Sequence, residues 1–301
     1  MSAVGFALVA ALSLSWAALD AIRKSLSGLV APLPLLVLLD TCLLPIFAAW
    51  WIASGGEISD PSGYALYGGA SLGLQLVANI LFLSALRASP LSLTIPFLGL
   101  TPAFATLGGA LLGGETPSPA QLLGVSLVVG GALVLGSAPP AADSRAEPGE
   151  RHPRPRLLAA LAREPGSRMM IGVALCWAAT INLDKQALRC ASLPVHAFVQ
   201  LLGITLVVLV YLAARGRLAE LKLARDARRQ LALAALVFGL AFALQLTAIQ
   251  SVLVAVVETT KRAVGLLSAV IVGALWFDER VGALTLVGVA LLLVGVVLVM
   301  L

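Results

Sequence analysis

Stretches of about 20 apolar residues, the length a helix needs to cross roughly 30 Å of hydrocarbon, recur ten times along this chain. They run approximately over 4–28, 32–52, 62–86, 91–113, 118–138, 169–190, 195–213, 230–250, 254–276 and 281–301. A soluble globule cannot hide so much apolar surface: 60% of the 301 residues are apolar and 12% are charged, against about 25% charged in soluble domains. A soluble enzyme, a disordered chain, a coiled coil and a disulfide scaffold are thereby excluded. The expected class is an all-α membrane protein of ten transmembrane helices. Cys42, Cys176 and Cys190 all fall in apolar segments and read as small core residues. The first span has no basic residue before it and no small-residue cleavage site with a polar exit. It reads as a retained helix rather than a signal peptide.

The net charge of +5 sits in loops between spans, which points to membrane orientation and not to nucleic acid. Residues 139–168 have the Pro, Ala and Arg content of a linker. Residues 214–229 show amphipathic spacing and are expected to form a short interfacial helix. Each segment holds six Lys or Arg, whereas the connections near 53–61, 114–117, 191–194 and 251–253 hold none. Basic loops stay in the cytoplasm, so 139–168 and 214–229 are expected there, with both termini outside a cell (inner) membrane crossed many times.

The two halves of the chain repeat each other. At an offset of 164, Gly109 matches Gly273, Glu115 matches Glu279, Gly124 matches Gly288 and Gly131 matches Gly295. At an offset of 161, Trp16 matches Trp177 and Lys24 matches Lys185. Each repeat holds five spans, an odd number, so the second copy enters the membrane from the opposite side. The expected layout is a first five-helix repeat at 1–138, a polar linker at 139–168 and a second, inverted repeat at 169–301. Inverted repeats are common in secondary transporters, which place the substrate site where the repeats meet, near the midplane.

Two five-helix halves, a Trp near the middle of the first helix of each, and the Gly-Glu and Asp-Glu that close the fourth (113–115, 278–280) resemble the EamA-domain branch of the drug/metabolite transporter superfamily. The resemblance covers the whole chain and implies a transporter. Ten-helix members of that superfamily usually keep both termini in the cytoplasm, the reverse of what the charge count gives here.

An ionisable residue deep in a span costs several kcal/mol and is a functional candidate by default. The ninth span carries Glu258, Lys261 and Arg262, and the sixth carries Asn182, Asp184 and Lys185. Glu258 can pair with Lys261 or Arg262 at i+3 and i+4 as a structural ion pair, and Lys185 can snorkel to the interface. Glu258 cannot balance both cations. At about 1.5 Å per residue, Lys185 lies roughly 7–8 Å past the centre of its span and Lys261 about 6 Å before the centre of its own. On antiparallel spans these are similar depths, so the three cations are expected to meet one ligand, with Gln245 of the eighth span as an amide donor. The pattern of a Lys on the sixth helix and a Lys-Arg pair on the ninth is similar to the triose-phosphate/phosphate translocators, where those residues hold the substrate phosphate. That resemblance implies an anionic, phosphorylated substrate.

In the first half, Asp20, Arg23 and Lys24 lie late in span one, and Gln75 and Asn79 share one face of span three. Gln75 and Asn79 can bond neighbouring helices or line the cavity. Trp16 and Trp177 are taken with Gln75, Asn79, Asn182, Gln245 and Glu258 as further substrate-binding candidates. Asp40 sits mid-span with no charge within four residues, and either carries a coupling proton or pairs with a cation from span one. Asp184 is a second coupling candidate. Pro45, Pro96 and Pro102 can open backbone carbonyls toward a cavity. Glu115 and Glu279 read as structural.

The leading function is secondary-active transport of a small anionic metabolite, phosphorylated on the second resemblance, by alternating access. The alternative is proton-coupled export of amino acids or amphipathic metabolites and drugs, through Asp40. Gly69–Gly73 with Ser71 at its centre matches a nucleophile-elbow pattern, but that pattern needs a strand–turn–helix. The Gly spacing suits close helix packing instead. No enzyme, cofactor, metal or nucleic-acid partner is expected. The expected partners are the small-molecule substrate and the lipid bilayer, with a homodimer as a further candidate.

Overall fold

The computed structural model describes residues 2–26, 29–88, 95–137, 164–222, 227–276 and 282–301. Among them are ten α-helices: α1 Ala3–Leu26, α2 Pro32–Ser54, α3 Pro61–Ala88, α4 Thr101–Gly113, α5 Pro119–Ser137, α6 Pro165–Cys190, α7 Leu193–Ala214, α8 Arg228–Ser251, α9 Val254–Trp276 and α10 Ala283–Met300. The only β-type pairing among the described residues is an isolated antiparallel bridge between Ile58 and Ala191. The chain is an all-α membrane protein built of two five-helix repeats.

The helix ends follow from the sequence. Pro32, Pro61, Pro119 and Pro165 each open a helix, where a missing N–H costs nothing and the fixed φ suits the first turn. Gly55, Gly114 and Gly216 close α2, α4 and α7 in the left-handed region at φ 59, 63 and 64°, which is cheap without a Cβ. Ser118 and Gln121 form a reciprocal capping box at the start of α5: Gln121 N donates to Ser118 Oγ at 3.2 Å, and Ser118 N to Gln121 Oε1 at 2.9 Å.

Eight described segments are long and apolar enough to cross a membrane, α4 only when taken together with the 3-10 turn before it. The two outside that set are α6 and α9, which carry Asp184–Lys185 and Glu258–Lys261–Arg262. Leu286, Leu293 and Val297 on α10 are all more than half exposed, as residues facing lipid must be. The fourth span is not one helix. Residues Ile95–Leu100 are a 3-10 turn and the α-helix begins at Thr101, so Pro102 sits in its first turn rather than inside it. The interfacial helix expected over 214–229 is replaced, among described residues, by a turn at Gly216 and a four-residue 3-10 helix at Leu218–Leu221. A left-handed glycine interrupts the helical path there. Gly69 and Gly73 do not serve close packing either: a Cβ at either position meets nothing within 4 Å, because both face outward.

Two compact units emerge, each drawing on both halves of the sequence. The first holds Val77–Ala179 and Leu253–Leu301; the second holds Ser2–Leu76 and Thr180–Val252. In the first, α5 packs along α10 and α9 along α4. Its cores are Val128, Ala263 and Leu292, and Phe97, Leu98, Met170 and Val173. In the second, α1 packs on α8 and α2 on α7, around Val37, Ile204, Val208 and Leu212. The linker 139–168 lies outside the described residues up to 163.

Candidate functional site

In the first unit the charged turn of α9 is set by both ends of α4. Glu115, just past the C-terminus of α4, is buried and accepts the backbone N–H of Val254 through both carboxylate oxygens, at 2.9 and 3.2 Å. This carboxylate satisfies an orphan donor at the start of α9 and complements the helix dipole. Its structural reading from the sequence matches this place. One turn further on, Glu258 is buried and pairs with Lys261, the i+3 pairing the spacing allows. Arg262 reaches the start of α4. Its Nη2 donates to Thr101 Oγ1 at 3.3 Å, and Thr101 in turn donates to the carbonyl of Leu98 at 2.7 Å. The break at the start of α4 is what offers Thr101 to α9. Lys261 and Arg262 are both half-buried. One acid and two bases within five residues leave the turn a formal charge of +1.

Asn79 and Trp177 also belong to this unit. Asn79 is half-buried, and its amide nitrogen has no hydrogen-bond partner among the described residues. Trp177 stacks at a tilt on Phe82, with ring centroids 5.9 Å apart.

Lys185 lies in the second unit. Its ammonium donates to the carbonyl of Val252 at 3.1 Å, at the C-terminal end of α8, where a cation also meets the negative end of the helix dipole. Asn182 and Gln245 are buried in the same unit, and Gln75 is half-buried. Trp16 meets Phe238 edge to face at 6.0 Å, and the Arg23 guanidinium lies 6.0 Å from the Trp16 ring and 5.2 Å from that of Phe238. Asp40 is 1% exposed, and neither carboxylate oxygen has a hydrogen-bond partner among the described residues. The Lys24 side chain and Glu279 lie outside what is described.

Asp184 holds a network that the sequence did not reveal. Its Oδ1 accepts the hydroxyl of Ser71 on α3, and the same oxygen lies 3.3 Å from His196 Nε2 on α7. The other ring nitrogen, Nδ1, is 3.2 Å from the Tyr64 hydroxyl on α3. All four residues are buried. Beside them, Gln200 Nε2 donates to the Gly68 carbonyl at 2.8 Å and ties α7 to α3. Ser71 commits its proton to a carboxylate and not to an imidazole, which is the wrong order for an activated nucleophile. The available signals were faint: Tyr64 and Ser71 are seven apart, on one face of α3, and a carboxylate in a span requires donors.

The sequence profile of the EamA-like transporter family matches residues 2–137 and again residues 165–301. A solved crystal structure, described only as that of a protein, superposes with a TM-score of 0.74. It does so over 99% of this chain and 96% of its own, at 20% sequence identity, so the likeness speaks for the fold alone. A search of curated protein sequences returns no match.

Proposed function

Because this chain belongs to the EamA-like transporter family, we propose that it carries a small anionic metabolite across the membrane by alternating access, with Arg262 and Lys261 taking the anionic group. The observation that carries this reading is the +1 turn of α9, half-buried within a membrane helix. A charge there has to be compensated. Arg262 offers a planar fork suited to a carboxylate or phosphate, and one arm of it, Nη2, reaches the Thr101 hydroxyl. Lys261 shares Glu258, and an arriving anion would exchange for that carboxylate. Lys185, with its ammonium on a backbone carbonyl, is proposed as a further anion ligand and tested by itself. Asn182, Gln245, Gln75 and Trp16 in the second unit, and Asn79 and Trp177 in the first, are each proposed as substrate contacts.

The test is a thermal-shift screen of purified protein against phosphorylated and carboxylated metabolites, since a ligand that binds the native state raises its melting temperature. Arg262→Lys and Lys261→Gln should each weaken binding of the compound found by about 1.5–3 kcal/mol, on the order of 10- to 150-fold. Stabilisation by cationic or neutral compounds only, with these variants indistinguishable from wild type, removes the reading.

Asp40 favours a second one, proton-coupled export of an amino acid or amphipathic metabolite. A fully buried carboxylate with no hydrogen bond among the described residues, in the unit that contains the Trp16–Phe238–Arg23 cluster, is a group suited to gaining and losing a proton. On this reading Asp40→Asn flattens the pH dependence of uptake in proteoliposomes while the protein stays folded.

A further inference from the structure

The Tyr64–His196–Asp184–Ser71 chain lies wholly within the second unit and takes no part in the anion reading above. It runs about 10 Å along α3, two turns from Tyr64 to Ser71, and it starts one turn inside the connection at 55–60. Asp60 marks that end: its carboxylate accepts Gly63 N at 3.0 Å and Ser62 Oγ at 2.7 Å, and it is solvent-exposed. Lys185 points to Val252, Arg189 donates to Gln186 Oε1 at 2.9 Å, and Cys190 Sγ lies 3.9 Å from Asp60. Glu57 and Asp60 stand at the loop end, and Tyr67 packs in the same apolar cluster as Tyr64. Besides His196, α7 offers only Tyr211, four turns away. Among the helices packed on α7, α2 carries Asp40 and Cys42, and α8 carries Arg228 and Arg229 in its first turn.

We infer that this chain is a proton-binding site, filled from the loop end through Tyr64 and His196, in which the proton comes to rest on Asp184. As a carboxylate, Asp184 only accepts hydrogen bonds. The His196 nitrogen facing it then carries the ring proton, and Nδ1 accepts from the Tyr64 phenol. His196 Nε2 lies 3.3 Å from Asp184 Oδ1 without a hydrogen bond to it, so uptake of one proton needs a small tilt of the ring that lines the two atoms up. The phenol passes its proton to Nδ1 and is restored by the incoming proton, while Nε2 releases its own proton to Asp184 Oδ1. The imidazole ends neutral with its proton on Nδ1, the carboxylate becomes a carboxylic acid, and the charge of the chain changes from −1 to 0. Ser71 stays in contact in both states, because a hydroxyl can donate to the carboxylate or accept from the acid. A buried group that alternates between charged and neutral is what coupling to a proton gradient requires.

The only ligand the test needs is the proton. The chain has two histidines, so His152→Gln leaves a single imidazole for ¹⁵N spectroscopy of protein in lipid nanodiscs. Between about pH 9 and about pH 5, a range that brackets histidine chemistry, the ring proton of His196 should move from Nε2 to Nδ1. In parallel, infrared difference spectra should gain a carboxylic-acid carbonyl band that is missing in Asp184→Asn. Tyr64→Phe keeps the ring and removes the relay hydroxyl; it should melt near the wild-type temperature and lose the tautomer exchange. A His196 ring held in one tautomer across the range overturns the inference. So does an acid band that survives in Asp184→Asn and vanishes in Asp40→Asn. Neither result bears on Arg262, so the anion site and the proton site fail independently.

Discussion

Asp60 closes the start of α3 with its own side chain, and Gly63 is where the geometry demands a glycine: a Cβ there would run into the Asp60 carboxylate. The hydrogen bond from Gly63 N, with that from Ser62 Oγ, holds the Asp60 carboxyl below its ordinary range. A depressed folded-state value contributes stability that is present above the unfolded value and lost as pH falls through the folded one. Asn caps a helix about as well as Asp but does not titrate. Asp60→Asn should therefore leave the neutral-pH melting temperature nearly unchanged and flatten its decline on the acid side, whereas Asp60→Ala should lower it at neutral pH. Melting curves across pH read both. Glu115 does a related task within a buried setting, and Glu115→Ala should cost about 1 kcal/mol, the usual loss of a helix cap, measurable as a lower melting temperature.

Between elements, the tightest seam is α5 against α10. A Cβ on Gly124 would stand 2.6 Å from the Gly295 carbonyl, and one on Gly131 would stand 2.9 Å from that of Gly288. The ascending numbers on one helix meet descending numbers on the other, so the pair is antiparallel. Backbone cannot give way as a side-chain tip can. Gly124→Ala and Gly131→Ala should each destabilise by about 1–3 kcal/mol through overpacking. Gly130→Ala, which opens onto empty space, should cost nothing measurable in the same thermal unfolding series. The helices themselves were legible in the sequence, α9 to the residue and most others within two or three, because twenty-residue apolar runs bounded by Pro and Gly leave little choice. The fourth span was not legible: an apolar stretch reads alike whether its start is α-helical or a 3-10 turn, and only packing against α5 and α9 decides. The segment after α7 misled because amphipathic spacing ignored the left-handed glycine inside it.

For the whole molecule, the charge count remains the guide to direction. The 3-10 helix at Leu218–Leu221 is exposed, with Arg217 and Glu220 joined by two hydrogen bonds at 2.5 and 2.8 Å, and it belongs to the basic segment expected in the cytoplasm. In a background lacking Cys42, Cys176 and Cys190, Ala219→Cys should react with a membrane-impermeant maleimide only after lysis. Reaction in intact cells would put both termini inside. The candidate site was legible in part. Charges inside spans announce themselves, so Asp184, Lys185, Glu258, Lys261 and Arg262 stood out. Their partners did not: Thr101, Tyr64, Ser71 and His196 are residues that any helix can carry, and only the packing of separate helices turns them into a network. The repeat, by contrast, was visible as spacing, and its geometry has a history. Gly124 and Gly288 are counterparts, as are Gly131 and Gly295, yet each packs on the counterpart of the other. A chain bearing just one copy would thus present a self-complementary face, and two such chains inserted in opposite directions would bury the same contacts. Joining them in one polypeptide makes that association intramolecular, so the seam no longer loosens as the protein is diluted in the bilayer.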